Sequence, residues 1–305
     1  MIQSFAAMSE GVRARDRQRI VVAVAHDENI LLAVDGATRQ GLAEPVLIGR
    51  RDRIIHLADK QGIDLSTSHL IDQPDDTLAC QLAVRMAREG KADAIMKGLV
   101  GTAVLLKAIL NKETGIRDRE LLSHIGLFFI SELQRALLVT DAAMNIAPDL
   151  EAKKHLIDNA VEVLQLLGLE LPKVACVCAL EQVNPAMRAT VEAAELVRLN
   201  RQGIIEDCLV GGPLALDNAL FVEAARHKGI TDTVAGQADI LLMPNIEAGN
   251  VFYKSLTFLC KSSGAGLVVG AQVPVIVTSR SDNHETKLNS MILALYLAAM
   301  RKDKY

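Results

Sequence analysis

Short uninterrupted apolar runs alternate with longer segments of helical periodicity along almost the whole chain. After a polar N-terminal extension with helical character, residues 20–25 (IVVAVA) form the first such run, the pattern of a parallel strand buried on both faces. Helical spacing follows over 29–40 and stops at Gly41, a residue suited to the left-handed position past a helix end. The alternation then predicts strands at 45–49, 68–72 and 92–96, and helices at 51–61, 75–89 and 103–110; Leu78, Leu82 and Met86 share one face of the 75–89 helix. Apolar runs at 125–130 and 136–139 predict two more strands, and 149–167 an amphipathic helix stopped by Gly168. From Lys173 the pattern restarts, with strands at 174–179, 208–210, 239–243 and 267–269 and helices over 185–201, from Asn218 to His227, and up to Cys260. Finally Val275-Ile276-Val277 turns at Thr278–Asp282 into a closing helix over 287–300. Strands and helices alternating in this way predict an α/β fold with mainly parallel sheets and right-handed crossovers. The restart suggests two domains, 1–140 and 141–284, with the C-terminal helix 285–305 packing back on the first.

Composition narrows the picture. Half of the 305 residues are hydrophobic but only 3% are aromatic, with no Trp, so two ordinary domains can be filled and the core must be aliphatic. A net charge of −4 argues against a general nucleic-acid or anionic-membrane binder, while leaving room for a small polyanion met by locally gathered positive charge. Five cysteines, an odd number without a C-x-x-C pair, read as reduced thiols in the cytoplasm. Cys176 and Cys178 fall on one face of an expected strand, which favours core packing over a metal or redox pair. The N-terminus lacks the apolar region of a secretion signal. The longest uncharged run, 262–279, is broken by Gly264, Gly266, Gly270, Gln272 and Pro274, and reads as two buried strands rather than a membrane span.

Two stretches carry candidate chemistry. At the strand-to-helix junction Thr278-Ser279-Arg280-Ser281-Asp282, unpaired amides at the helix start, two hydroxyls and a guanidinium favour an oxyanion such as phosphate. Asp282 and Glu285, one helical turn apart, place two carboxylates beside that anion, one of which could act as a base. The plainer alternative makes Asp282 an N-cap and Arg280 a surface charge. Lys97-Gly98-x-x-Gly101-Thr102 at the end of another strand looks like a phosphate cradle; it lacks the residue order of a Walker A motif, and a solvated lysine over a glycine turn is the competing account. Lys107, Lys112, Arg117 and Arg119 gather near the same strand end. His124, beside an expected strand, is more simply a structural hydrogen-bonder than a catalyst.

The segments MKGLVGT (96–102), LLSHIGLF (121–128), TDAAMNIAP (140–148), GGPLALDNA (211–219), ADILLMPNIEAGNVFYK (238–254) and VPVIVTSRSD (273–282) together resemble the phosphate acetyl and butyryl transferases, from Ile20 to Met300. MKGLVGT, LLSH and TSRSD look more like the butyryl branch. The resemblance implies two α/β domains with a cleft between them, related to the isocitrate and isopropylmalate dehydrogenase fold, in a homodimer or larger assembly. It implies interconversion of acyl-CoA plus inorganic phosphate with acyl phosphate plus CoA, without a metal or a bound cofactor. Ser279 and Arg280 match the family's active-site serine and arginine. Substrate-binding candidates are Lys97, Gly98, Gly101, Thr102, His124, Asp141, Asn145, Asp217, Gly249, Asn250, Lys254, Ser281 and Lys287. The carboxylate that the acetyl enzymes carry seven residues after the serine corresponds here to Thr286, so Asp282 and Glu285 are the substitute bases. A metal-assisted NAD-dependent dehydrogenase on the related fold would need a G-x-G-x-x-G turn, which follows no strand here. A non-catalytic acyl-CoA sensor is the remaining alternative.

Overall fold

The computed structural model describes residue 2, residues 4–279 and residues 282–304. The first segment runs α1 (Phe5–Arg13), β1 (Gln18–Ala23), α2 (Glu28–Arg39), β2 (Ala43–Gly49), α3 (Arg51–Gln61), β3 (His69–Asp72), α4 (Asp76–Arg88), β4 (Ala94–Lys97) and α5 (Thr102–Ile109). The middle segment carries β5 (Ser123–Ile130), β6 (Arg135–Thr140), α6 (Leu150–Leu166), β7 (Lys173–Val177), α7 (Arg188–Arg201), β8 (Leu209–Leu214), α8 (Leu216–Leu220), α9 (Val222–His227), β9 (Ile240–Leu242) and α10 (Ile246–Lys254). A π-helical turn, Ser255–Leu259, leads to β10 (Ser263–Val269), β11 (Val275–Ile276) and α11 (His284–Lys304). Among the described residues no helix is long and apolar enough to cross a membrane.

Several of the helices begin where the sequence offers a side-chain acceptor for their unpaired amides. Asp27, Asp75 and Asp149 accept from Ile30 N (3.0 Å), Leu78 N (2.8 Å) and Ala152 N (2.9 Å). Two of the boundaries that differ from expectation have a local cause. α7 starts at Arg188 rather than 185, because the Thr190 hydroxyl donates to the carbonyls of Asn184 and Met187 and folds 184–187 into a turn. The helix expected through His227 is split at Phe221, whose backbone is extended.

The chain forms two compact units. One is built on Ser4–Leu122 and resumes at Ala265; the other is Ser123–Gly264. This division replaces the expected one at 140 and 284. β5 and β6 pair as an antiparallel hairpin from Ile125↔Thr140 to Ile130↔Arg135, and β6 runs parallel to β9, so both strands belong to the middle segment. At the other end β11 pairs parallel with β4, drawing the chain after Gly264 to the first unit.

Within the first unit the strand order is β3-β2-β1-β4-β11-β10, parallel from β3 to β11 and antiparallel between β11 and β10. α11 is buried all round from Met291 to Ala299, packing on α1 and α2 and against β1, β4 and β11. Within the second unit the order is β5-β6-β9-β7-β8. Its core gathers Phe128, Leu137, Val139, Ala175, Leu214, Leu241 and Leu256. Cys176 and Cys178 are both buried, as packing predicts; β7 ends at Val177, so Cys178 lies just past the strand.

β8 is an edge strand, and a free edge would invite another chain to pair with it. Its outward amides are already taken by side chains: Val210 N donates to Asn200 Oδ1 (3.0 Å) and Gly212 N to Asp232 Oδ2 (3.2 Å), while Pro213 has no amide to offer. Asp232 Oδ1 also accepts from Val234 N (2.8 Å). Replacing Asp232 with alanine is therefore expected to lower unfolding free energy by about 1–3 kcal/mol and to increase self-association. Urea titration and light scattering measure the two effects; unchanged values for both would contradict this role for Asp232.

Candidate active site

In the first unit the chain leaves β1 toward β2 and β3 on one side, then returns to place β4 on the other. The strand order thus reverses between β1 and β4, the place where open α/β sheets bind ligands, outside the strand carboxyl ends. Val24, just past β1, has φ 62, in the left-handed region that a β-branched residue rarely enters. It is held there by Gly98 N donating to Ala23 O and Leu99 N to Val24 O, both 2.8 Å. Gly98 has no alternative: a Cβ there would lie 2.0 Å from Val24 O. Gly101 is different, since a Cβ would meet only Val104 at 3.9 Å; it caps α5 without a side-chain acceptor, and Thr102 opens that helix exposed. Lys97 is not a solvated lysine. It is buried, and its Nζ donates to the carbonyls of Gly98 and Val100, each at 3.1 Å.

Beside β4 lies β11, and its carboxyl end enters the turn that carries Ser279. Arg280 and Ser281 lie outside the described residues. Ser279 N donates to Asp282 Oδ2 (2.7 Å), and Asp282 N returns a bond to Ser279 O (3.2 Å). Lys287, 3% exposed, reaches back from α11 to donate to Ser279 O (3.2 Å) and to Asp282 O. Burial lowers its pKa; Asp282 and then Asp27 oppose that shift.

Two expectations are corrected here. Asp282 is not the N-cap of α11, since Asn283 Oδ1 accepts from Thr286 N (2.9 Å) and the helix starts at His284. Asp282 and Glu285 also do not line one helical face, because Asp282 is buried ahead of the helix whereas Glu285 is exposed in its first turn.

Sequence reasoning missed His26. It follows β1, is 9% exposed, and its Nδ1 has no hydrogen-bond partner among the described residues. Its pKa is lowered, first by burial; Asp76 opposes this. A histidine beyond a strand end carries no periodic signal that would have marked it.

In the second unit a separate group forms where β6 ends. Asp141 is buried and accepts four bonds, from His124 N (2.9 Å), Ala143 N (2.8 Å), Met144 N (2.9 Å) and Asn145 Nδ2 (2.6 Å). Its carboxylate is the anchor of the 141–145 loop. Gly249 lets α10 approach that loop, since a Cβ there would lie 2.2 Å from Asp141 O, and Asn250 Nδ2 donates to Ala142 O (3.0 Å). His124 is buried, edge-on to Tyr253 at 5.4 Å, and its Nδ1 is unpartnered among the described residues. Burial lowers its pKa against the pull of Asp141, so the ring is neutral at pH 7.

Asp141, Asn145, His124, Gly249 and Asn250 are thus brought together. Asp217 is not: it is exposed on α8 and pairs with Lys228 at 3.6 Å. Lys254 is exposed at the end of α10.

Comparison with known proteins gives this geometry a context. The family model described as phosphate acetyl/butaryl transferase matches residues 5–80 and 75–295. The chain is 45% identical over 298 residues to the phosphate butyryltransferase of Clostridium acetobutylicum, covering 98% of this chain and 99% of that protein. It is 41% identical over 281 residues to the phosphate acetyltransferase of Thermotoga maritima, covering 92% and 95%. Among solved structures, a branched-chain phosphotransacylase from Enterococcus faecalis superposes with a TM-score of 0.83 at 32% identity, over 92% of this chain and 99% of that one. A 4-hydroxythreonine-4-phosphate dehydrogenase from Klebsiella pneumoniae, with a TM-score of 0.56 at 14% identity, shares the fold alone. With matches of this length at both the sequence and the fold level, the chain belongs to the phosphate acetyl/butaryl transferase family and is a phosphate acyltransferase.

Proposed function

We propose that the protein acts as a phosphate butyryltransferase, exchanging a butyryl-sized acyl group between CoA and inorganic phosphate. A phosphate oxygen attacks the thioester carbonyl, the tetrahedral intermediate expels CoA as thiolate, and acyl phosphate leaves. The reverse direction starts from the ionised CoA thiol. Acyl-CoA, phosphate and acyl phosphate are the ligands of this reading, and it calls on no resident metal or cofactor. It places the enzyme in the cytoplasm as a homodimer or larger homo-oligomer.

The observation that carries the reading is the Ser279–Asp282 turn, pinned beside β4 at the strand carboxyl ends. Ser279 is assigned to the developing oxyanion or the departing thiolate, and Arg280 to the phosphate oxygens. The open N-terminus of α5 at Gly101 and Thr102 offers amides to a further phosphate group. The Asp282 carboxylate already accepts the Ser279 amide, which makes it a poor base, and Glu285 is exposed. A thiol with an ordinary pKa near 8.5 is ionised to a few per cent at neutral pH, so stabilisation of the thiolate can stand in for a dedicated base. Asp141 and His124 are assigned to holding the 141–145 loop. Acetyl transfer is the second reading, favoured by the long match to the T. maritima acetyltransferase.

Release of free thiol from butyryl-CoA and acetyl-CoA, with and without phosphate, tests both readings. Phosphate-dependent release, faster with butyryl-CoA, is expected. Faster acetyl-CoA turnover would select the second reading, and release independent of phosphate would overturn both. Arg280→Ala is expected to lose at least about 100-fold in kcat/KM; near-normal turnover would remove Arg280 from the site. A neutral buried His124 also gives stability a pH dependence. The unfolded chain takes up a proton below pH ~6.5 while the folded ring resists it, so stability is full above that pH and falls below it by up to about 1.4 kcal/mol per pH unit. Urea titrations at several pH values should show a shallower decline in His124→Gln; an identical slope would contradict the assignment.

A further inference from the structure

We infer that Lys287 is a positioning residue for the transfer step: it holds the carbonyls of Ser279 and Asp282 in place, in a chain that lacks the family carboxylate one residue earlier. The inference rests on the assignment of Ser279 to the reacting centre.

Three observations support it. First, Lys287 is 3% exposed, and the bonds it makes are to Ser279 O and Asp282 O, the two ends of the turn. A long charged side chain buried to hold main-chain oxygens sits at a net desolvation cost, tolerated where those oxygens need a fixed place. Second, a further clamp on the turn, Asp282 Oδ2 on Ser279 N, is itself an anion facing the same ammonium's field, so the two support one another. Loss of the lysine would take a donor from two carbonyls and a counter-charge from the carboxylate. Third, the neighbouring positions cannot replace it. Thr286 has no acidic group, its amide is held by Asn283 and its carbonyl accepts from Ser290 Oγ (2.9 Å). Glu285 points from the exposed part of the helix. Asp27, which caps α2 beyond β1, also favours the charged form of Lys287.

A positioning role differs from a ligand contact in kinetics. Removing a ligand contact raises KM, whereas misplacing a group needed only in the transition state lowers kcat. Lys287→Met is therefore expected to reduce kcat at least about 100-fold while KM for CoA and phosphate stays within about threefold. Restoration of activity in Lys287→Ala by ethylammonium would reinforce the role. A parental kcat in Lys287→Met, or a loss confined to KM, would overturn it. If Lys287→Met does not fold, Lys287→Arg carries the test, since a guanidinium keeps the charge but not the compact reach to both carbonyls. At least a tenfold lower kcat at parental KM supports positioning there, and parental kcat overturns it. Ser279→Ala, measured alongside, separates the inference from its premise. Full activity in Ser279→Ala overturns the assignment of Ser279, whereas low activity there with parental activity in Lys287→Met overturns the role of Lys287 alone.

Discussion

The backbone contact between the ends of β1 and β4 sets the position of everything else in the first unit. Gly98 N and Leu99 N bond to Ala23 O and Val24 O, at a separation that leaves no room for a side chain on residue 98. Val24 is held at a positive φ for the same reason, at a cost of order 1–3 kcal/mol that only an over-determined neighbourhood sustains. Strain at a strand carboxyl end, on the reversal of strand order, is where a ligand site is expected. From this contact Lys97 is directed into its own turn, α5 begins with open amides, and β11 finds its place beside β4.

A common device recurs at the candidate sites. Lys97, Lys287 and Asp141 are buried charges, and each bonds mainly to main-chain groups of a nearby loop. An isolated buried charge would be expensive, and a loop with unpaired carbonyls or amides would be too. Combining them satisfies both, and the main-chain groups so held are fixed in place. Rigid loops at strand ends are what acyl transfer needs, because a donor displaced by an ångström stabilises the tetrahedral intermediate poorly.

The alternation of apolar runs and helical spacing was enough to place most elements within a few residues, since buried parallel strands and amphipathic helices have distinct periods. The 51–61 helix was legible to the residue, bounded by the polar Arg50 and by Gly62 with φ 65. Strand direction was not carried by the apolar runs themselves. Nothing in the runs at 125–130 and 136–139 distinguishes a hairpin from a crossover except the short connection between them, which cannot hold a helix. That pairing moved the domain division. At the candidate site, the residue types of the turn were readable, but their use was not. Spacing placed Asp282 and Glu285 one turn apart, yet Asn283 captured the helix start and left Asp282 outside it. Which polar group wins a cap depends on the path of the preceding strand, and that is a tertiary property. The burial of Lys97, Lys287 and His26 is tertiary in the same sense.

The absence of an acidic residue at position 286 then has a physical account that does not require a displaced base. In the direction that consumes acyl-CoA, the leaving group is a thiolate, already a tolerable anion near neutral pH, and no proton has to be delivered for the C–S bond to break. In the opposite direction CoA must ionise, which needs only a shift of its equilibrium toward thiolate. Positive potential favours that shift and a nearby carboxylate opposes it, since like charges disfavour ionisation. The Ser279 turn presents its carboxylate inward, bonded to its own amide and set against the Lys287 ammonium, so the negative charge of Asp282 is offset where it stands. A carboxylate left free at position 286 would add proton-accepting power and subtract positive potential together. Thr286 avoids the second effect, and in the proposed function the burden of catalysis moves from proton transfer to the fixed placement of the groups that stabilise charge.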